Sequence, residues 1–176
     1  MSAEEQAQLF EEMMTYHETV FRICLGFSRN PSDAEDLSQD VYLKAFKSLG
    51  GIRRPYAAKE WLLRVARTTC LDHQKKNRVS RLFFSGPFKP DEGLERTTPE
   101  DSAVSNERLR ALKKAIGRLP RKQREIFVFR EYGHLSYLEL ARQLRIKEGT
   151  VMSRLNRARR AVMESMREEL HGRQAG

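Results

Sequence analysis

SYLELARQLRIKEGTVMSRLNRARR, residues 136–160, carries the strongest pattern in the chain. Ser136 followed three residues later by Glu139 forms a capping box, so a short helix starts there. Leu140, Ala141 and Leu144 put apolar atoms on one side of it, and Ala141 is small enough to admit a second helix closely. Arg145-Ile146-Lys147 makes a tight connection, and a second helix begins near Glu148. On that helix Val151, Leu155, Ala158 and Val162 recur at steps of four, three and four, which makes one inward stripe. The opposite face carries Ser153, Asn156, Arg157 and Arg160, flanked by Thr150 and Arg154. A short helix, a tight turn and a helix with a polar, cationic outer face constitute helix-turn-helix geometry, and that face suits DNA. An ordinary amphipathic helix with solvated charges would share the stripe. The coincidence of box, small residue, turn and cationic face in one register favours the DNA-facing reading.

The charge is distributed to match. The whole chain has 176 residues and a net charge of +9. Residues 1–78 hold 12 Lys/Arg against 11 Asp/Glu, residues 79–104 hold 3 against 5, and residues 105–176 hold 18 against 8. The cationic excess therefore sits with the helix-turn-helix, as expected where phosphates are met. A solvated basic surface would give the same count. This length can bury one good core or two small ones.

Cys24 and Cys70 are far apart in sequence and form no C-x-x-C. They read as small core residues in a reducing cytoplasm, without support for a disulfide framework or a four-ligand zinc site. No apolar run approaches the roughly 18–20 residues of a membrane span, and the acidic N-terminus does not read as a signal peptide. We expect a soluble, cytoplasmic protein with no membrane span, no metal and no cofactor.

Towards the N-terminus, Phe10, Met13, Met14, His17, Val20, Phe21, Cys24 and Leu25 trace one face of a single helix of about six turns. His17 on that face reads as packed or partner-facing, since no second ligand stands four residues on. Asn30-Pro31 interrupts, and Ser32 with Glu35 offers another capping box. The following helix has Ala34, Leu37, Val41 and Ala45 as its inner stripe, with Tyr42 and Phe46 beside it. Gly50-Gly51 ends it and opens the loop GGIRRPYAA. A third helix is predicted from about Ala58 to Asn77, with Trp61, Leu62, Val65, Ala66 and Thr69 inward. Its other side carries Arg64, Arg67, Gln74 and Arg78, joined by Lys75 and Lys76.

Residues 79–104 break all periodicity and read as a linker, with Gly86, Pro87, Pro90, Gly93 and Pro99. Phe83, Phe84 and Phe88 within it are either strays or a segment that docks on a partner. A fourth helix is predicted over about Asn106–Arg118, with Leu109, Leu112, Ile116 and Leu119 inward. Pro120 suits the first turn of a fifth helix, whose Ile126, Phe127 and Phe129 supply bulk beneath the helix-turn-helix. The pattern predicts no strand.

Two other constellations bear on chemistry. Asp33, Glu35, Asp36 and Asp40 cluster on the second helix, and a metal-dependent nuclease could use such carboxylates. Acids in a first helical turn are favoured by the macrodipole alone, and an acidic helix flanked by Tyr42 and Phe46 fits better as a protein-recognition surface. No phosphate loop, nucleophile–base pair or metal motif occurs in the sequence, so the chain does not read as an enzyme. The third helix and the loop before it place cations beside Tyr56 and Trp61, an arrangement able to grip single strands and receive an unstacked base. Trp61 taken alone, on the inward stripe, reads rather as core.

The motifs DAEDLSQDVYLKAF at 33–46, WLLRVAR at 61–67, Asp72 followed by Lys75-Lys76, and EGTVMSRLNRAR at 148–159 resemble a bacterial RNA polymerase sigma factor of the extracytoplasmic-function (ECF) group. Leu119-Pro120, Arg124-Glu125 and the box at 136–139 continue the match, in the family's order. The resemblance implies an all-α chain of two small domains: a three-helix region 2 at 1–78 and a helix-turn-helix region 4 at 105–170, joined by a flexible linker at 79–104. It implies binding of core RNA polymerase and promoter-specific transcription initiation, with an anti-sigma factor as a further partner. Carried over residue by residue, Asp36, Gln39, Asp40 and Phe46 would meet the polymerase. Arg53, Arg54, Tyr56, Trp61, Arg64, Arg67 and Lys75 would read and open the −10 region of promoter DNA. Ser153, Asn156 and Arg157 would touch −35 base edges, while Lys147, Thr150, Arg154 and Arg160 would hold phosphates.

Some positions depart from the family's pattern. Met152 stands where the family usually has Lys or Arg, and Thr68 where it often has Asn. Lys75 and Lys76 replace arginines, keeping charge while losing bidentate geometry. Arg145 replaces a common turn glycine, at about 1 kcal/mol if the backbone there takes positive φ. The 26-residue linker would extend to roughly 85 Å, against about 70 Å for two turns of DNA. The competing class is a stand-alone helix-turn-helix regulator binding operators as a dimer, which leaves the acidic second helix and the basic third one without a use.

Overall fold

The computed structural model describes residues 2–51, 58–83 and 99–171, with side chains described except at 51, 78–83 and 99–104. Eight α-helices and one 3₁₀ turn appear among the described residues, with no strand. The helices are α1 (Ala3–Met14), α2 (His17–Ser28), α3 (Pro31–Ser48), α4 (Ala58–Phe83), α5 (Pro99–Arg118), α6 (Arg121–Glu131), α7 (Tyr137–Leu144) and α8 (Glu148–His171). The 3₁₀ turn Leu49–Gly51 follows α3. The chain forms two compact units, one holding α1–α4 and the other α5–α8.

In the first unit, α2, α3 and α4 pack on one another. Val20, Ile23, Cys24 and Phe27 of α2 meet Ala34, Leu37, Val41 and Ala45 of α3 and Leu62, Leu63, Ala66 and Cys70 of α4 in a core closed to solvent. Each fully buried Leu or Ile side chain there contributes about 1.5–3 kcal/mol over leaving it in water. The inner stripe expected for α3 is buried as drawn from the sequence. On α4 the buried set includes Leu63 and Cys70, while Trp61 and Val65 are only half-buried.

The single six-turn helix expected at the N-terminus is two helices, so the unit has four helices where three were predicted. The ladder breaks at Thr15-Tyr16: Thr15 N–H donates to Glu12 O at 3.2 Å, and Tyr16 N–H to Met13 O at 3.1 Å. These are three-residue bonds that tighten a last helical turn. The Tyr42 hydroxyl, on α3, donates to the same Met13 carbonyl at 3.1 Å. His17 opens α2 and is exposed, not packed on an apolar face.

The cap of α3 is also two residues earlier than the Ser32–Glu35 box suggested. Asn30 is the N-cap, its side chain accepting from Ser32 N–H at 2.8 Å and Asp33 N–H at 3.4 Å. Pro31 occupies the first helical turn, where its missing N–H costs nothing. Cys24 and Cys70, 46 residues apart, are buried with their sulfurs 3.8 Å from each other. Hydrogen bonding to Cys24, together with burial, pushes the Cys70 thiol well above its ordinary value.

Two helices run into the stretch expected to be irregular. α4 continues to Phe83 and α5 begins at Pro99. Residues 84–98, between them, lie outside the described residues. Phe83 ends α4, whereas Phe84 and Phe88 lie outside the described residues, as does the docking role considered for them.

In the second unit α8 packs on α5, α6 and α7. On α5 Ala111, Ala115 and Ile116 are buried, as is Leu119 just past its end, while Leu109, expected inward, is 46% exposed. The alanines allow close approach of α8, and Leu109 falls off that face. Pro120 lies just before α6 and acts through its carbonyl, which accepts from Gln123 N–H and Arg124 N–H, each at 2.9 Å. Arg124 then reaches back to the end of α5, donating to Ile116 O at 3.1 Å, Leu119 O at 2.9 Å and Gly117 O. Carbonyls at a helix end lack the usual partner four residues on, and Ile116 O has only the tighter bond from Leu119 N–H at 3.2 Å besides, so one guanidinium closes the corner. Ile126, Val128 and Phe129 of α6 are fully buried, and Phe127 nearly so.

Candidate nucleic-acid and partner interfaces

The helix-turn-helix forms as its residues dictate. Ser136 Oγ accepts from Glu139 N–H at 3.2 Å, and Glu139 Oε2 accepts from Ser136 N–H at 2.7 Å, so the box is reciprocal. Arg145 ends α7 in the left-handed conformation, with φ 52° and ψ 49°. Its N–H donates to Arg142 O at 3.3 Å, and Ile146 N–H donates to Ala141 O at 3.1 Å, the closure that usually recruits glycine. Lys147 O accepts from Thr150 N–H and Val151 N–H, which starts α8.

Val151, Leu155, Ala158 and Val162 are the buried residues of α8, so its predicted stripe is real and its opposite face is fixed outward. Ser153, Asn156, Arg157, Arg160 and Lys147 are exposed, and Thr150 and Arg154 are half-buried at the flank. Met152 belongs to the outward face too, at 50% exposed. Two of the expected base-contact residues already hold each other: Arg157 Nε donates to Ser153 O at 3.2 Å and Arg157 Nη2 to Ser153 Oγ at 3.5 Å. Arg159, which the sequence reading left out, turns sideways instead. Its Nε and Nη2 donate to Glu131 Oε1 at 2.9 and 2.6 Å.

On the first unit, Asp36, Gln39 and Asp40 are exposed on α3, and Phe46 is 61% exposed. Phe10 of α1 meets Phe46 and Tyr42 edge-on, with ring centroids 5.3 and 6.3 Å apart. Phe10, Gln39, Tyr42, Leu43 and Phe46 line an open groove of about 330 Å³. Leu43 was missed by the sequence reading, yet it is 56% exposed beside the acids. Its signal was there: it lies two residues past Val41, off the inner stripe, where a helix surface gains nothing from leucine. Among the described residues no group of three or more His, Cys, Asp or Glu side chains is placed to hold a metal, the acids of α3 included.

The face of α4 is only partly in view. Arg53, Arg54 and Tyr56 lie outside the described residues. Trp61, Arg64 and Arg67 are half-buried and Lys75 is exposed. Trp61, Arg64, Thr68 and Lys75 follow one another at helical spacing and share a face. Arg64 lies 3.5 Å from Glu60 and Lys75 lies 3.5 Å from Asp72, both partly exposed pairs that leave the cations accessible. Thr68 donates back to Arg64 O at 3.0 Å, so its hydroxyl is turned towards its own helix. Gln74, grouped with the cations from sequence, instead donates to Phe27 O on α2 at 3.3 Å.

Comparison with known proteins follows the same division. The family described as Sigma-70 region 2 matches residues 13–79, and the one described as Sigma-70, region 4 matches residues 109–162. The ECF RNA polymerase sigma factor SigM of Mycobacterium tuberculosis is 33% identical over 156 residues, covering 86% of this chain and 72% of the relative. SigW of Bacillus subtilis, also an ECF RNA polymerase sigma factor, is 26% identical over 161 residues, covering 87% of this chain and 86% of its own. Among solved structures, the sigma factor RpoE of Bartonella quintana, crystallised with the anti-sigma factor NepR, shares the fold. Its TM-score is 0.66 at 22% identity, over 89% of this chain and 95% of that one. With both regions matched in order and a relative this similar along its length, the chain belongs to the ECF RNA polymerase sigma factors.

Proposed function

We propose that this chain is the promoter-specificity subunit of a bacterial RNA polymerase: it binds the core enzyme and directs initiation to particular promoters without catalysis of its own. The observation that carries this reading is the pairing of an outward polar, cationic face on α8 with an exposed acidic and aromatic surface on α3, on separate compact units of one chain. In this reading Ser153, Asn156 and Arg157 meet −35 base edges, and Lys147, Thr150, Arg154 and Arg160 hold phosphates. Arg53, Arg54, Tyr56, Trp61, Arg64, Arg67 and Lys75 serve the −10 region. Asp36, Gln39, Asp40 and Phe46 dock on the polymerase, joined by Leu43 and the Phe10 ring on the same groove. Such surfaces also suit an anti-sigma factor, which would hide them from the polymerase.

The protein acts in the cytoplasm on this reading. No helix among the described residues is long and apolar enough to cross a membrane. The test is affinity capture of core polymerase by the purified chain, followed by mapping of transcripts started by the reconstituted enzyme. Specific start sites that require the chain support the reading. No association with core polymerase, together with tight binding of a palindromic duplex by the free protein, defeats it in favour of a dimeric operator-binding regulator.

A further inference from the structure

Arg159, a cationic residue at the flank of α8, points to a further role. Arg159 sits beside the buried Ala158, and both of its donating nitrogens converge on one oxygen of Glu131, the last residue of α6. Tyr137, the first residue of α7, lies against the same guanidinium; Glu131 first, then Tyr137, holds Arg159 protonated beyond its ordinary range. Arg130 stacks over the Tyr137 ring, 5.1 Å from its centroid, and donates to Leu135 O at 2.6 Å. One polar chain thus runs from the end of α6, through the segment entering the helix-turn-helix and the start of α7, to the middle of α8.

This arrangement answers a geometric need. The stripe Val151, Leu155, Ala158 and Val162 seats α8 by apolar contact, and such contact is tolerant of a small roll about the helix axis. Base-edge hydrogen bonds are not tolerant of it, because they weaken steeply with misaligned donors. A directional bond at the flank of the stripe removes the roll. The pair is partly exposed, with side chains 41% and 35% accessible. Its contribution to stability is therefore small, and what it supplies is orientation.

We infer that Glu131 and Arg159 are positioning residues that set the angle of α8 on promoter DNA, with Tyr137 and Arg130 holding the pair in register. The inference rests on the proposed −35 role of α8. It assigns Arg159 to its own protein rather than to a phosphate.

The test uses polymerase reconstituted with the full chain and a pool of promoter duplexes randomised across the −35 hexamer. Enrichment is measured for the wild type, Glu131→Gln, Arg159→Lys and the reversed pair Glu131→Arg/Arg159→Glu, alongside each variant's thermal midpoint. The expected result is that both single variants lose roughly fivefold or more in −35 discrimination at an unchanged midpoint, and that the reversed pair recovers it. If Arg159→Lys weakens all sequences alike while Glu131→Gln selects like wild type, Arg159 is a phosphate contact and the inference is overturned. It is overturned as well if the wild type selects sharply and every variant matches it. A wild type that selects no −35 sequence overturns the role of α8 itself, a result distinct from either.

Discussion

The Tyr42 hydroxyl donates to the Met13 carbonyl at 3.1 Å, across 29 residues, at the point where α1 gives way to α2. That carbonyl would otherwise serve an unbroken ladder, so the tertiary bond and the helix break belong together. Tyr42→Phe keeps the ring contact with Phe10 and deletes the bond. The expected cost is about 0.5–1.5 kcal/mol, the usual net worth of such a hydrogen bond, read from chemical denaturation of the full chain. An unchanged midpoint would mean that water or Tyr16 N–H satisfies Met13 equally well.

The same group makes stability depend on alkaline pH. Burial chiefly, and the neighbouring Cys24, push the Tyr42 phenol from 10.0 up to about 12. The unfolded chain therefore releases this proton first. The stability attached to it is complete below pH 10 and is lost as pH rises through about 12. Cys70, raised from 9.0, acts with the same sign. Denaturation midpoints should fall over this range, and Tyr42→Phe should flatten the part of the decline that begins at pH 10. Ultraviolet titration of the phenols checks the assignment directly.

Arg145 holds a left-handed backbone, φ 52°, at the end of α7. Arg145→Gly removes the Cβ strain and should raise stability by up to about 1 kcal/mol, the gain being reduced by the freer unfolded chain. Arg145→Ala is the control and should not stabilise. A glycine variant no more stable than the alanine one would show that the turn relaxes its own strain.

Arg157→Ala should cost about 1–3 kcal/mol of −35 discrimination in reconstituted polymerase. Equal weakening on every sequence would instead make Arg157 a backbone contact.

Asp40→Ala and Phe46→Ala should each weaken capture of core polymerase while DNA binding by the α5–α8 surface persists. Charged contacts at an interface rim act mainly on association rate and salt dependence, whereas a buried aromatic anchor acts on dissociation. Kinetic capture measurements can separate the two, and unchanged affinity in both would remove α3 from the interface.

What the sequence disclosed and what it withheld divide along one line. The stripe of α8, the Ser136–Glu139 box and the inner face of α3 depend on spacing within a single helix, and all were legible. The break at Thr15-Tyr16 was not, because the apolar positions 10, 13, 14, 20 and 21 run straight across it and a residue on α3 helps to hold it. The contact between Cys24 and Cys70 depends on how α2 meets α4, which no local pattern records. Nothing in the spacing of α8 singled out Arg159, whose partner Glu131 stands on another helix, α6. Asn30 was the exception: Pro31 in the first turn already marked it as the cap, and the nearby Ser32–Glu35 spacing drew attention away. The candidate interface residues were readable as types on faces, whereas the partners proposed for them come from family resemblance.

If Arg157 meets a −35 base as proposed, its hydrogen bonds to Ser153 bear on what that contact can deliver. A guanidinium already occupied by its neighbour exchanges partners on arrival at a base, so the net gain is smaller than a new bidentate bond suggests. On the proposed −35 role, a subunit built this way would bind weakly when free and would draw on the polymerase to raise the effective concentration of α8 at the promoter. Selectivity then arises mainly on the assembled enzyme, and stray contacts elsewhere on the genome stay brief.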